Sequence, residues 1–367
     1  ANVTNPKLTS GSQQNFRNLI INGDMSIAQR GTSVTGVNTT GYYTIDRFKL
    51  TNNSAGTWTQ SQSTDVPTGQ GFATSLKMDC TTADASPGSG DVLILQQLIE
   101  GQNLQYLKKG TSSAESTTLS FWVKSNKTGT YICELRDIDN NRTISQSYTI
   151  SSANTWEKKT ITYDGDTTGA LGNDNAESLR CSFYLNAGSD YTSGTLQTSW
   201  SGRTNANRAV GQVNLADNTA NEWFVTGVQL EAGTTASDFE FLPYDVNVQR
   251  CQRYFEKVFD LDVVPTQDGT NPSSGGQNGV VAFSTSQGRG TPIMFKVIKR
   301  AAPSITIYRG DNSTSGQIGW YDTSAWQDGG STLRNITTVG FGTHINGTFT
   351  VKYSYLIDFG WTADSEL

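Results

Sequence analysis

The chain contains little that would support catalysis, metal binding or nucleic-acid binding. Among its 367 residues there is one histidine and there are four cysteines, only 16% of the residues are charged, and the net charge is −6. The cysteines form no CxxC pair, so their spacing does not indicate a zinc site. No stripe of Lys and Arg is available to displace counterions from phosphates, so we expect no nucleic-acid binding. The longest apolar runs, such as residues 92–95, are too short to span a bilayer, and we expect no membrane insertion.

The residues that could carry catalysis are few and isolated. His344 stands in FGTHING beside a turn, and any Ser-His-Asp or Cys-His arrangement would depend on it. Asp164 and Asp166 in YDGDTTG resemble part of a metal-binding loop, but the other ligands of a calcium loop are missing and a turn is favoured. Nothing among the 33 carboxylates singles out a glycosidase pair. The sequence therefore predicts a non-enzymatic protein without catalytic residues, metal site or cofactor.

What the chain does have is the composition of a β-protein. It contains 37 glycines, many Ser, Thr and Asn residues, and short runs rich in Val, Ile, Tyr and Phe. Such runs, among them residues 117–123 and 179–185, recur about every ten to twenty residues with turn residues between them, as in a β-sandwich or jelly roll. Cys133 and Cys181 each lie in a predicted strand, where a buried thiol is favoured over a disulfide.

A domain boundary is predicted between Trp223 and Phe255. Residues 223–231 alternate as a strand that carries Trp223 on one face and Val228 and Leu230 on the other, and Pro243 then ends the β-structure. We therefore predict an all-β protein with four parts. They are a polar leader (1–17), a jelly-roll β-sandwich (18–244), a short connecting helix (245–258) and a smaller C-terminal β-sandwich (259–367).

The predicted helix carries an apolar stripe. Its members recur at spacings of three, four and three, and they are Val248, Cys251, Phe255 and Val258. Two interpretations stay open. The helix lies on one of the two sandwiches, or its stripe meets the stripes of other copies around a threefold axis.

Aromatic residues in polar surroundings are the best candidates for ligand contacts. Flat rings stack on the apolar faces of sugars, while neighbouring Asn, Asp and Gln bind hydroxyl groups. Tyr191 and Trp200 lie in the polar loop 187–207, and Trp320 and Trp326 lie in GWYDTSAWQDGG. We predict these four as glycan-binding candidates, with a place in the core as the alternative for each.

Several segments resemble tail-fibre and related virion proteins of tailed bacteriophages. The resemblance rests on NLIINGDMSIAQRGTS (18–33), YYTIDRFKL (42–50), LQQLIEGQNLQYL, TTLSFWVKSN, YDGDTTG, YLNAGSDYTSGT, GVQLEAGTTASDFEFLPYDVNVQRCQRYF and the closing FGWTADSEL. It covers most of residues 18–258 and the end of the chain. It implies that the first domain is similar to jelly-roll carbohydrate-binding modules of the galactose-binding-like type. Met25 and Ser26 replace the aromatic-acid pair that follows the first turn of such modules, so no calcium ligands are carried over.

The resemblance implies a non-enzymatic structural protein of a phage particle, either a tail fibre or a short virion fibre. We expect a homotrimer that is assembled in the host cytoplasm, resides in the virion and binds a polysaccharide of the host surface. The leader 1–17 would order on docking into another virion protein. The alternatives are a secreted bacterial carbohydrate-binding module and a glycan-cleaving tailspike enzyme.

Overall fold

A computed structural model describes residues 16–265, 278–308, 317–321 and 326–367. Every strand pairing in this part of the chain is antiparallel, and the chain divides into two units. The first unit contains the described residues up to Ser26 together with Ser33–Leu242, and the second contains Ile27–Thr32 and Pro243–Leu367. No helix within the described residues is long and apolar enough to cross a membrane.

The first unit contains thirteen strands and one short helix, α1 (Ser189–Thr192), in its described part. The strands are β1 (Ser33–Val37), β2 (Gly41–Tyr42), β3 (Lys49–Asn53), β4 (Thr57–Ser63), β5 (Ser75–Thr82), β6 (Val92–Glu100), β7 (Thr117–Ser125), β8 (Gly129–Asp137), β9 (Arg142–Ile150), β10 (Glu157–Tyr163), β11 (Glu177–Ala187), β12 (Ser201–Gly202) and β13 (Glu222–Ala232).

These strands form two sheets that pack face to face. One sheet has the order β1-β4-β5-β13-β7-β10, and the other has the order β12-β9-β8-β11-β6-β3-β2. Phe121 of the six-stranded sheet contacts Phe183 and Tyr148 of the seven-stranded sheet, with ring centroids 5.0 and 5.1 Å apart. Trp223 lies fully buried beside Phe183. The predicted N-terminal jelly-roll β-sandwich is confirmed.

Strand β13 differs from its predicted alternation because it contains a bulge. Its register with β7 shifts between Thr226 and Gln229, and Gly227 has a φ of +63°. One extra residue in a strand exchanges the two faces beyond it. Leu230 therefore stands opposite core residue Leu119 on the face that carries Trp223, and the prediction that these two residues lie on opposite faces is wrong.

The predicted buried thiols lie inside the sandwich. Cys133 on β8 and Cys181 on β11 are fully buried and free. Burial raises the pKa of the Cys181 thiol to about 12, so it stays protonated at neutral pH. Both cysteines act as small core residues.

The second unit contains one helix, α2 (Tyr244–Gln252), and ten strands in its described part. The strands are β14 (Phe255–Lys257), β15 (Asn278–Ala282), β16 (Gln287–Gly290), β17 (Ile293–Met294), β18 (Ser304–Tyr308), β19 (Gln317–Tyr321), β20 (Trp326–Arg334), β21 (Gly340–Asn346), β22 (Ser354–Asp358) and β23 (Gly360–Asp364).

Two sheets share one core in this unit. The first has the order β14-β23-β18, and the second has the order β16-β15-β22-β19-β20-β21-β17. Because β16 also pairs with β21, the second sheet closes into a ring of six strands. Phe341 of the ring contacts Trp361 of β23, with ring centroids 5.6 Å apart. The second unit is thus the smaller β-domain that the sequence predicts.

The predicted helix 245–258 is too long, and its apolar stripe is not an exposed face. Helix α2 ends at Gln252, after which Phe255 begins β14 and Val258 follows it. The chain leaves the helix because residues 255–257 pair with β23, and this tertiary pairing overrides the local helical pattern. Val248 and Cys251 are 8% and 0% exposed. The stripe therefore offers no surface for other copies around a threefold axis.

The segment Ile27–Thr32 is a part of the second unit that sequence reasoning missed. Gln29 Nε2 donates a hydrogen bond of 2.8 Å to the carbonyl oxygen of Phe255. The guanidinium of Arg30 lies 3.8 Å from the ring centroid of Phe255 and 3.0 Å from Asp364 Oδ2. These contacts join residues more than 220 positions apart in the sequence, so local periodicity could not reveal them.

The bulge at Gly227 makes a stability prediction. A Cβ at this position would lie 2.5 Å from Cζ of Phe72, whereas a Cβ at Gly36, where φ is +71°, would meet nothing within 4 Å. We expect Gly36→Ala to destabilise the first unit by roughly 1 kcal/mol, through backbone conformation alone. Gly227→Ala should cost roughly 2–4 kcal/mol because the clash with Phe72 is added. Urea unfolding of both variants would measure this difference, and equal costs would contradict the bulge geometry.

Candidate functional site

The seven-stranded sheet has a polar side that faces away from the core. On β8, side chains alternate, so Cys133 points into the core while Glu134 and Arg136 lie on the opposite side. The register places Ser182 of β11 opposite Glu134, and Arg180 opposite Arg136. We call this side, with Glu134, Arg136, Arg180, Ser182 and Ser145 of β9, the outer face.

A buried ion pair lies at the centre of the outer face. Arg208 donates to both carboxylate oxygens of Glu134, at 2.8 and 2.7 Å, and the two side chains are 7% and 0% exposed. Burial by itself would lower the pKa of Arg208, but the Glu134 carboxylate raises it above its usual value. The Arg208 guanidinium carbon also lies 5.7 Å from the ring centroids of Tyr184 and of Tyr191. Glu134 and Arg208 thereby hold the chain that follows β12 onto the sheet.

Residues 188–213 fold against the outer face rather than projecting from it. Gln197 Nε2 donates to the carbonyl oxygen and to Oγ1 of Thr143 on β9, at 2.7 and 2.8 Å. The backbone N–H of Ala209 donates to the carbonyl oxygen of Tyr191, and that of Val213 donates to Thr130. The predicted polar loop 187–207 is therefore held against the sheet, and buried polar residues lie within it, as Gln197, and directly after it, as Arg208.

Two arginines beside this ion pair have no carboxylate partner. Arg180 forms a two-fold ion pair with Glu177, at 2.6 and 2.8 Å. Within the described residues, neither Arg136 nor Arg203 forms an ion pair, and the Nε atom of each is buried without a hydrogen-bond partner. Burial lowers the pKa of Arg136, and the positive charges of Arg203, Arg208 and Arg180 lower it further, while Glu134 opposes this shift only in part. The outer face therefore carries positive charge that the neighbouring side chains do not neutralise.

Hydroxyl groups on the outer face also have no partner. Ser145 Oγ, Ser182 Oγ and Tyr184 Oη are buried without a hydrogen bond in this part of the chain. Buried polar groups in folded proteins are almost always hydrogen-bonded, and exceptions call for an explanation such as a ligand or water. These three hydroxyl groups lie below the surface, whereas Arg136 and Arg203 are half-buried.

The two loop aromatics that the sequence singles out lie in different places. Trp200 is half-buried; its Nε1 donates to the carbonyl oxygen of Asp164 at 2.8 Å, and its ring lies 4.9 Å from Lys109 Nζ. Its own carbonyl oxygen accepts from Arg142 at the beginning of β9. Tyr191 is half-buried over Arg208, and the two rings do not contact each other. A direct sugar contact by either ring stays a prediction.

Of the two aromatics predicted as glycan contacts in the second unit, Trp320 does not lie on the surface. Trp320 is 4% exposed and packs between Phe349 and Tyr355, with ring centroids 4.6 and 5.3 Å away. Its strand is paired on both sides, with β20 and β22, and its side chain points into the shared core, so the prediction that it contacts a glycan is wrong. Trp326 begins β20, but its side chain lies outside the described residues.

The segment YDGDTTG forms a turn whose carboxylate binds side-chain cations. Asp166 accepts from Arg142 at 2.7 and 2.9 Å and lies 2.8 Å from Lys109 Nζ. Burial raises the pKa of Asp166, but the hydrogen bonds from Arg142 and Lys109 outweigh it and lower the pKa below its usual value. Lys109 also contacts Asp137 Oδ2 at 2.5 Å. Across the described residues, no group of three or more His, Cys, Asp or Glu side chains is arranged to hold a metal.

His344 has an arginine as its partner. Arg289 Nε donates to His344 Nε2 at 3.1 Å, and the ring of Phe283 lies 5.8 Å away. Burial lowers the pKa of His344, and the charges of Arg289 and Arg334 add to this effect. An imidazole whose Nε2 accepts from a guanidinium is not arranged as the general base of a serine or cysteine nucleophile.

Sequence reasoning missed the residues that define the outer face. The alternation of β8 would have placed Glu134 and Arg136 on one side of a strand, and this was the available signal. Their partners and neighbours come from β11 and from residues 203–208, which lie more than 40 positions away. The pairing of Glu134 with Arg208, and the absence of a partner for Arg136, are visible only in the folded chain.

Comparisons with known proteins give distant structural likenesses. No protein-family profile and no curated protein sequence matches the chain. The chain is similar to the enzymatically active domain of tailspike protein 4 from bacteriophage CBA120, with 15% identity and a TM-score of 0.32, over 59% of this chain and 21% of that one. The chain thus spans about a fifth of the length of that tailspike protein.

Two further structures contain carbohydrate-binding modules. One is TmCBM61, solved with β-1,4-galactotriose, with 9% identity and a TM-score of 0.29, over 59% of this chain and 99% of that one. The other comprises the CBM22-1 and GH10 modules of xylanase 10B from Clostridium thermocellum, solved with xylohexaose. It shows 12% identity and a TM-score of 0.28, over 61% of this chain and 32% of that one. At these TM-scores, none of the likenesses identifies a ligand or a site in this chain.

The ion pair between Glu134 and Arg208 leads to a prediction about residues 188–213. Glu134→Gln removes the carboxylate and leaves the Arg208 guanidinium buried and unpaired, which should destabilise this region by roughly 3–5 kcal/mol. Residues 188–213 should then detach from the sheet. Limited proteolysis with mapping of the cleavage sites by mass spectrometry should show new cleavage in this segment.

The matched control is Glu177→Gln, which removes the partner of Arg180 in a more exposed ion pair with side-chain exposures of 22% and 15%. It should change stability by less than roughly 1 kcal/mol and leave the cleavage pattern unchanged. Resistance of the Glu134→Gln variant to cleavage in this segment would show that other contacts hold the loop.

Proposed function

We propose that the first unit binds a glycan on its outer face, and that the chain is a non-enzymatic structural protein of a bacteriophage particle, a tail fibre or a short virion fibre. The observation that carries glycan binding is the presence of two half-buried arginines without an ion-pair partner, Arg136 and Arg203, with the half-buried ring of Trp200 three residues before Arg203 in the chain. Sugars present many hydroxyl groups and one apolar face per ring. A site for them combines several hydrogen-bonding groups with an aromatic side chain.

The ion pairs formed by the carboxylates of the outer face support glycan binding without glycan cleavage. A glycosidase needs two carboxyl groups roughly 5–10 Å apart, one on each side of the scissile bond. On the outer face, Glu134 is neutralised by Arg208, and Glu177 is neutralised by Arg180. Neither carboxylate is available as a general acid, because each is held in an ion pair with an arginine.

The distribution of exposed hydrophobic side chains supports a homotrimer built through the second unit. Of the twelve large hydrophobic side chains that are exposed in the described part of the chain, ten belong to this unit. Val281, Phe283 and Tyr353 lie close together, because β15 pairs with β22 and Ala282 N–H donates to the Tyr353 carbonyl oxygen. Clustered exposed apolar residues commonly mark a protein–protein interface.

Attachment to the particle through the leader 1–17 is also a proposal. Residues 1–15 lie outside the described residues, while Arg17 is held on the first unit by Ser237 Oγ and the carbonyl oxygen of Asp238, at 2.8 and 2.6 Å. We further propose residence in the virion after assembly in the host cytoplasm. A secreted bacterial carbohydrate-binding module remains the alternative, and a glycan-cleaving tailspike enzyme is the third possibility.

A binding assay with matched tryptophan variants tests the function of the first unit. The full chain should bind bacterial polysaccharides on a glycan array, and Trp200→Ala should weaken binding roughly tenfold, because aromatic anchors contribute more than about 1 kcal/mol. Trp156→Ala is the control, because Trp156 is also half-buried and donates a hydrogen bond from Nε1, in this case to Asp65. Trp156 lies elsewhere, in the connection between β9 and β10 of the six-stranded sheet. Equal losses in the two variants would argue against a site at Trp200, and release of reducing ends would favour the enzyme.

The oligomeric state tests the assembly. Multi-angle light scattering should give three times the 39.8 kDa of the chain. The double variant Phe283→Ser, Tyr353→Ser should dissociate the trimer, whereas Phe241→Ser, which removes a similarly exposed ring from the first unit, should not. A monomeric wild-type chain that binds plant or algal polysaccharide would favour the secreted module.

A further inference from the structure

The outer face is positively charged although the chain as a whole is negative. The net charge is −6, yet the guanidinium group of Arg136 on this face is repelled by those of Arg180, Arg203 and Arg208. The two carboxylates within reach are already used, Glu134 by Arg208 and Glu177 by Arg180. The four arginines therefore exceed these two carboxylates by two charges, and neither Arg136 nor Arg203 forms an ion pair within the described residues, although Glu134 also attracts Arg136.

This arrangement is unfavourable for the isolated fold. Arg136 and Arg180 stand directly opposite each other on adjacent antiparallel strands, and like charges in that position destabilise a sheet. Arg136 is half-buried, and a partly desolvated charge without a partner is more costly than an exposed one. An anion from outside the chain would remove both penalties.

The geometry limits what kind of anion fits. A guanidinium group offers donors in a planar fork that matches the two oxygens of a carboxylate or phosphate. Arg136 and Arg203 are both half-buried, so part of each side chain reaches the solvent. The site thus offers planar guanidinium donors to the charged group of a ligand.

We infer that the outer face binds an acidic polysaccharide, and that Arg136 and Arg203 bind the anionic group on its sugar residues. This inference rests on the proposed glycan binding and names the class of glycan. Nucleic acid is a less suitable polyanion, because tracking its backbone requires an extended basic stripe, whereas the charge here is confined to one part of one sheet. The anionic group is a carboxylate or a phosphate, and the choice of probes separates the two.

The test measures binding of the full chain to polysaccharides that differ in charge. Affinity gel electrophoresis would compare polygalacturonate, its fully methyl-esterified form, teichoic acid, neutral dextran and a single-stranded oligothymidylate. We expect retardation by polygalacturonate if the group is a carboxylate, or by teichoic acid if it is a phosphate. Methyl esterification should abolish the first of these.

Charge-removing variants assign the binding to the two arginines. Arg136→Gln and Arg203→Gln should each weaken binding of the acidic probe roughly tenfold, the size expected for the loss of a charge-assisted hydrogen bond. The matched control is Arg289→Gln, which removes the same charge from the second unit, where Arg289 contacts His344. It should leave binding unchanged.

Stability distinguishes a binding role from a structural role. Because Arg136→Gln removes repulsion from Arg180 without breaking an ion pair, its thermal midpoint should stay equal to that of the wild type or rise. A midpoint lowered by several degrees would mean that Arg136 stabilises the fold, and the inference would fail.

The remaining outcomes separate this inference from the proposed function. Equal binding of free and esterified polygalacturonate, or full binding by both arginine variants, would overturn the acidic class while glycan binding stands. If oligothymidylate binds and the same arginine variants lose this binding, the ligand of the outer face would be nucleic acid and not a polysaccharide. The absence of binding to every polysaccharide would overturn the proposed function as well.

Discussion

The buried pair between Glu134 and Arg208 is the interaction on which the outer face depends. Glu134 lies in the middle of a seven-stranded sheet and is wholly buried, so its charge has to be compensated inside the protein. Its partner lies 74 positions along the chain, and the pairing brings residues 188–213 onto the sheet. The same pair consumes the carboxylate that stands nearest to Arg136 on its own strand. The attachment of residues 188–213 to the sheet and the lack of an ion-pair partner for Arg136 therefore both follow from this one contact.

The two units differ in the chemical character of their exposed side chains. In the first unit, hydrophobic side chains fill the space between two sheets, and the remaining capacity for interaction is polar and positively charged. In the second unit, the core beside a ring of six strands contains Trp320 and Phe341, while several aliphatic and aromatic side chains stay exposed. A polar face suits reversible binding of a hydrated ligand, and an apolar exterior suits permanent contact with protein.

Alternation of apolar and polar residues predicts much of this fold, and its failures have a common cause. Strand β13 was predicted almost to the residue, but the bulge at Gly227 moved Leu230 to the other face. The helix was placed correctly at its beginning and not at its end, because Phe255 joins a strand whose partner lies more than 100 positions away. Trp320 in a glycine-rich, polar segment resembles a surface residue until the ring of strands closes around it. Each error arose where a distant strand decided the local conformation.

The sequence by itself determined the all-β class, the approximate places of the strands and of the change of unit at Pro243, and the absence of a zinc-type cysteine pattern. These properties follow from composition, side-chain period and proline chemistry, all of which act over a few neighbouring residues. Only the tertiary structure decided which charges are paired. Arg136, Arg180, Arg203 and Arg208 are four similar residues in the sequence, and two of them remain without a carboxylate once the chain is folded. Pairing depends on distances of a few ångströms between segments far apart in the chain, and these distances exist only after the sheets have formed.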